Sequence, residues 1–309
     1  MSYSGRDNNI FLKRNMNKMK IKYHFIFLAL TMSLSLIARE KHTDVTELKM
    51  NVSSYDQILL FNKYGDVKVT GISGNTAIVK VRRTLDAKSR KQLDEAKNEI
   101  YLDTMQLEDN LYFFIQNPYQ ILEIDKVGGN AYYNSRDQGK WRWSNHSDDR
   151  VRYEFTFEVQ LPMNMDFRVS THKKDLLVKN MKGRLNASAH HGHITLEGVT
   201  DLESANGHHG DIHVSFSQNP RVDSKFHTHH GNIELEFPSA PSADISMKSH
   251  HGKFFTDFDW QPVAQKISKE KNKRGMTYKI GASTSVRMGR GDYKISMRSH
   301  HGDMYIKRA

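Results

Sequence analysis

Apolar and polar residues alternate strictly from Val151 to Leu161, with Tyr153, Phe155, Phe157, Val159 and Leu161 on one side. A period of two predicts a strand with one face on a core. Earlier stretches carry the same signature: Gln57–Phe61 and Val67–Val69 flank a turn at Lys63-Tyr64-Gly65-Asp66, and Ala77–Val81 and Leu111–Ile115 have strand composition. The period changes over Ala87–Ile100, where Leu93, Ala96 and Ile100 recur at i, i+3 and i+7 among Lys, Glu and Gln. That spacing predicts one amphipathic helix in the N-terminal part.

Beyond residue 161 the pattern becomes a repeat. His-His-Gly occurs at 190–192, 208–210, 229–231, 250–252 and 300–302, so ten of the 17 histidines lie in five triplets. The intervals are 18, 21, 21 and 50 residues, and a period near twenty indicates a solenoid. A small residue precedes each triplet (Ala189, Gly207, Thr228, Ser249, Ser299) and a polar one follows it. The next position is apolar in every copy: Ile194, Ile212, Ile233, Phe254 and Met304. Each unit therefore reads as strand, corner, strand, second turn, and those five apolar residues are expected to stack in one interior column. Thr171-His172-Lys173-Lys174-Asp175 is a degenerate earlier copy, 18 residues before the first full triplet. Glycine at the corner is expected to supply a left-handed backbone. The long last interval holds the Lys-rich Gln261–Gly275, an excursion between coils, and Arg290-Gly291-Asp292 belongs to a Gly-Asp turn more simply than to integrin recognition.

The expected fold is thus mainly β, a right-handed β-solenoid or β-helix-like stack of short strands with one helix. Tyr64-Gly65-Asp66-Val67-Lys68-Val69, the run Phe155–Pro162 leading into the repeats, and Ser299-His300-His301-Gly302-Asp303-Met304-Tyr305-Ile306 after a Gly-rich turn resemble the bacterial putative-adhesin family. That is a domain-of-unknown-function family of exported β-solenoid proteins. The resemblance spans about Ile58 to Ala309. It implies the fold and an adhesin-like role at the cell envelope, and brings no catalytic residues with it.

Composition adds a destination. Lys13, Arg14, Lys18, Lys20 and Lys22 precede an apolar run from His24 to Ala38, the form of a secretory signal peptide cleaved near Ala38, with Met16 or Met19 as alternative starts. Residues 1–38 hold six of the basic residues and one acid, so the net charge of +11 falls to +6 after cleavage. A mild charge on an exported chain makes nucleic acid an unexpected partner. The absence of cysteine excludes disulfides, thiolate metal sites and a lipoprotein anchor, and no second apolar stretch is long enough to span a bilayer. The expected organisation is a signal peptide over 1–38, a β-rich segment with the helix over 45–125, a surface loop over 126–150, and the repeat over 151–309. The expected location is periplasmic or on the cell surface, with an envelope component, glycan or protein, as partner.

Two chemistries remain. In the 126–150 segment, Tyr132, Tyr133, Trp141 and Trp143 form a candidate ligand-binding surface, since aromatic faces hold sugar rings; alternatively Trp141 and Trp143 lie on the core as a strand face. In the repeat, corners about 4.8 Å apart would align His190, His191, His208, His209, His229, His230, His250, His251, His300 and His301 into ladders. Such ladders are either structural corners or ligands for Zn, Cu or Ni. No Gly-x-Ser-x-Gly, His-Glu-x-x-His or phosphate-binding glycine loop is present, so no catalysis and no resident cofactor are expected.

Overall fold

The computed structural model describes residues 39–124, 131–135, 151–264, 267–272, 275–280 and 284–309. The segment expected to be a signal peptide and residues Trp141 and Trp143 lie outside this set.

Alternating burial along the strands builds the architecture. In Ile212–Phe216 and Ile233–Phe237 every second side chain is buried, Ile194–Val199 alternates until the irregularity at Gly198 buries Val199, and Arg152–Pro162 buries Phe155, Phe157, Val159 and Leu161 as the sequence predicts. These faces meet in one core between two large open sheets, one of ten strands and one of eleven. The protein is mainly β.

Seven strand–corner–strand units join the sheets. In each, the first strand lies in the eleven-stranded sheet and the second in the ten-stranded sheet: 57–61 with 67–72, 166–173 with 176–179, 185–191 with 194–199, 202–209 with 212–216, 224–227 with 233–237, 243–248 with 254–256, and 293–298 with 304–308. Neighbouring units pair in parallel, in register. The stacking order departs from chain order at one place. The C-terminal unit 293–308 lies between 224–237 and 243–256, so Met304 faces Ile233 on one side and Phe254 on the other. The expected column of Ile194, Ile212, Ile233, Phe254 and Met304 exists in that altered order, and Phe254 is only partly buried because its strand ends the sheet.

The chain reaches this position by passing around strand Ala243–Lys248. Thr284–Met288 pairs antiparallel on one edge of it and Tyr293–Arg298 parallel on the other. The turn between them crosses the start of the strand, where Ser242 accepts from the Arg290 and Asp292 backbone N–H groups and Gly289 and Gly291 have φ of 60° and 76°. Arg290-Gly291-Asp292 is the means of that crossing.

The helix spans Arg90–Glu99, inside the expected segment, with Ser89 as N-cap accepting from Gln92 N–H and with Leu93 and Ala96 buried. Residues 131–135, expected in a loop, form a strand antiparallel to Gln120–Ile124, in which Tyr132 and Tyr133 pair with Glu123 and Leu122. Ile267–Asn272 and Gly275–Ile280 form a two-stranded sheet of their own within the Lys-rich excursion. Among the described residues no helix is long and apolar enough to cross a membrane.

The candidate site: two columns of imidazoles

Three backbone-directed columns set the spacing of the corners. The small residue before each pair points inward, and where it carries a hydroxyl it donates to a glycine carbonyl of the neighbouring corner: Thr228 to Gly210 at 3.0 Å, Ser299 to Gly231 at 3.1 Å, Ser249 to Gly302 at 3.2 Å. The polar residue after each glycine accepts from the backbone N–H one corner further on: Asp66 from Asp175, Asp175 from His193, His193 Nδ1 from Asp211, Asp211 from Asn232, Asn232 from Asp303, and Asp303 from Lys253, at 2.7–3.1 Å. The glycines form the third column. A Cβ on Gly192, Gly210, Gly231, Gly302 or Gly252 would meet the carbonyl oxygen of the corner beneath it, well inside contact distance. That corrects the expected reason for the glycine: a positive φ occurs at Gly210 and Gly231 (146° and 156°), whereas close approach of the next backbone is common to all five.

On this scaffold the histidines form two columns. His172, His190, His208, His229, His300 and His250 stack face to face, with ring centroids 4.6–5.0 Å apart. His191, His209, His230, His301 and His251 stack beside them at 4.8–5.0 Å. Rings of one corner meet edge to face at 4.2–4.3 Å in the 190, 208, 229 and 300 pairs. The structure thus brings together all ten candidate histidines and adds His172, whose degenerate corner supplies the first ring. The second column is exposed; His172, His208, His229 and His300 of the first are partly buried.

Two properties bear on chemistry. Nδ1 of His208, His229 and His300 is buried without a hydrogen-bond partner, so three imidazole nitrogens are held away from water with a free lone pair or an unused N–H. Burial, then the charge of neighbouring imidazoles, disfavours the cationic form of His190, His209, His230 and His300. At His172 burial, assisted by His190, Lys63, His191 and Lys173, depresses the pKa from 6.5 to about 4. Neutral imidazole is the form that binds metal.

The columns change character at their ends. Between His190 and His300 the first-column rings lie within 8° of parallel, and at both ends the stack tilts by 26°. There three donor atoms come within 4.8 Å of one another, in His172–His190–His191 and in His251–His300–His301. A third group, His213–Glu234–Glu236, lies on the ten-stranded sheet, but Lys307 Nζ already occupies Glu234 at 2.7 Å. The aromatic candidates are not part of this site: Tyr132 and Tyr133 belong to the separate strand pair, and Trp141 and Trp143 lie outside the described residues.

No family model matches the chain, and no curated protein matches it. Among solved structures, it is similar to a putative cell adhesion protein from Clostridium sporogenes (9% identity, 87% of this chain and 100% of that one, TM-score 0.38). It is also similar to a putative adhesin from Bacteroides fragilis (9% identity, 86% and 97%, TM-score 0.32). A third is a putative lipid binding protein from Parabacteroides distasonis (13% identity, 86% and 97%, TM-score 0.30). At such scores the functional reading rests on the geometry of the corners.

Proposed function

We propose that this protein is an exported, non-catalytic binding protein of the bacterial cell envelope, a β-solenoid whose paired imidazole columns bind divalent transition-metal ions. Residues 1–38 direct export in this reading, and the units that end in corners form the solenoid body. One observation carries it: eleven imidazoles share one edge of the fold, and at each end of their columns three nitrogens lie within 4.8 Å of one another. Zinc holds histidine nitrogen at about 2.0–2.1 Å, so tetrahedral ligands sit roughly 3.3 Å apart. The exposed rings, His190 and His191 at one end and His251 and His301 at the other, are the ones free to turn and close the difference. Imidazole without thiolate or clustered carboxylate suits Zn, Cu and Ni better than Mg or Ca.

Calorimetric titration of chelator-stripped protein with zinc, copper and nickel salts tests this. Saturable binding is expected, and it should disappear when the five second-column histidines are replaced by Asn. Magnesium should give no heat beyond dilution. Equal heats for the wild type and the Asn variant would refute the assignment.

A further inference from the structure

The two ends of the columns are chemically different. At the 172 end the stack runs into lysines. Tyr64 pairs with Lys173 in parallel register, so Lys63 and Tyr64 occupy the positions of a histidine pair in the preceding corner. Lys63 Nζ lies 5.2 Å and Lys173 Nζ 5.6 Å from the centre of the Tyr64 ring, and both ammonium groups act on His172. A dication in the His172–His190–His191 cluster would sit within about two rungs, roughly 10 Å, of both. Repulsion at that distance weakens binding on the order of tenfold even in a water-like dielectric.

At the other end, among the described residues, no lysine is among the groups whose charge acts on His300. His250 closes the first column on His300 at 4.6 Å, and His251 closes the second on His301 at 4.8 Å with the rings 7° apart. The groups whose charge reaches His300 are the imidazoles of His301, His250, His229 and His251. His300 also carries a buried, unpartnered Nδ1. The altered stacking order leaves the 250 corner at the end of the columns. The C-terminal unit, inserted between 224–237 and 243–256, brings His300 and His301 beside His251, from which they are 49 and 50 positions away in sequence.

We infer that His251, His300 and His301 form the preferred site, taking one Zn, Cu or Ni ion with a fourth position open to water. The inference rests on the metal-binding reading of the columns. His172, His190 and His191 form a second, weaker site. The bound ion ties strand 304–308 to strand 254–256 through their corners, so metal and the seating of the C-terminal unit stabilise each other.

The experiment is a zinc titration of the full, chelator-stripped chain by calorimetry, with His301→Asn, His251→Asn and His191→Asn as single variants and far-UV circular dichroism to confirm folding. All three rings are exposed, and two independent variants probe the preferred site. The wild type should show a tight event followed by a weaker one. His301→Asn and His251→Asn should each weaken the tight event by tenfold or more, and His191→Asn should remove the weaker event and retain the tight one. Loss of the tight event in His191→Asn, or its survival in both His301→Asn and His251→Asn, overturns the assignment to this end while leaving the columns as metal ligands. No saturable binding by the wild type overturns both readings.

Discussion

Acidification of the metal-free protein should unlock the columns from the 172 end. His172 is half-buried beneath His190 and His191 and faces Lys63 and Lys173, and its pKa is depressed from 6.5 to about 4. Because the folded state binds the proton less readily than the unfolded chain, stability is fully present above pH 6.5 and is lost as pH falls through the window from 6.5 to 4. At pH 5 the unfolded chain is almost wholly protonated at this position and the folded protein scarcely at all, a difference of about 2 kcal/mol. For a chain of this size that lowers Tm by about 3–4 °C. His190, His209, His230 and His300 are shifted in the same direction and add to the slope. Calorimetric melts in chelator at pH 7.5, 6.5, 5.5 and 5.0 measure the effect, and stopping at pH 5 keeps most carboxylates ionised. The His172→Asn variant should lose markedly less stability over that range than the wild type. Parallel pH profiles for the two proteins would show that His172 is not held neutral by its burial.

Two further predictions concern the frame beneath the imidazoles. Truncating Ile233, fully buried between Ile212 and Met304, to Ala should cost about 2–5 kcal/mol in urea unfolding; a loss below 1 kcal/mol would mean that the column does not pack as described. Gly302→Ala should be severely destabilising, since its Cβ would drive into the Gly231 carbonyl, whereas Gly207→Ala should change stability by less than about 1 kcal/mol. At Gly207 the new methyl meets the Thr228 hydroxyl at 3.2 Å and otherwise only ordinary contacts at 3.5 Å and beyond, and the register partner is already Ala189. Equal melting shifts for the two variants would refute the close-approach account.

The units themselves were legible because their determinants are local. A small residue, two histidines, a glycine, a polar residue and an apolar one fix which side chains turn inward, and Leu196, Val214, Leu235 and Ile306 are buried two positions on, as alternation requires. The helix was legible from Leu93, Ala96 and Ile100 for the same reason. The stacking order was not. Ile245-Ser246-Met247 and Ile295-Ser296-Met297 are near duplicates, and they lie side by side, paired residue to residue. Either strand presents the same inward Ile and Met to a neighbour, so an alternating pattern gives no preference for which comes first. What decides it is the turn at Ser242 and the antiparallel strand 284–288, both long-range pairings with no periodic signature. Which corner ends the columns depends on that order, and so was hidden with it. Tyr132 and Tyr133 were drawn to attention by composition alone, which does not record that their segment pairs with 120–124.

The remaining question is whether the histidines serve the corner or use it. The corner's backbone groups are satisfied by other residues: hydroxyls reach the glycine carbonyls, Asp, Asn and His193 accept from the following N–H groups, and the glycines permit the approach. Stacked rings return about 0.5–1.5 kcal/mol per contact. Against that stand three buried nitrogens without partners, each costing about 1–3 kcal/mol when nothing pairs with them. The nine face-to-face contacts together offset that cost, but stacking does not demand imidazole over another flat ring. Nor does the backbone demand it, because the same two positions hold Lys63 and Tyr64 in one corner and His172 and Lys173 in the next, with the strands still in register. A fold that accepts lysine and tyrosine on these rungs does not require histidine on ten others. What imidazole alone brings to those rungs is a neutral nitrogen lone pair, repeated at the spacing of the strands and gathered into threes at the ends.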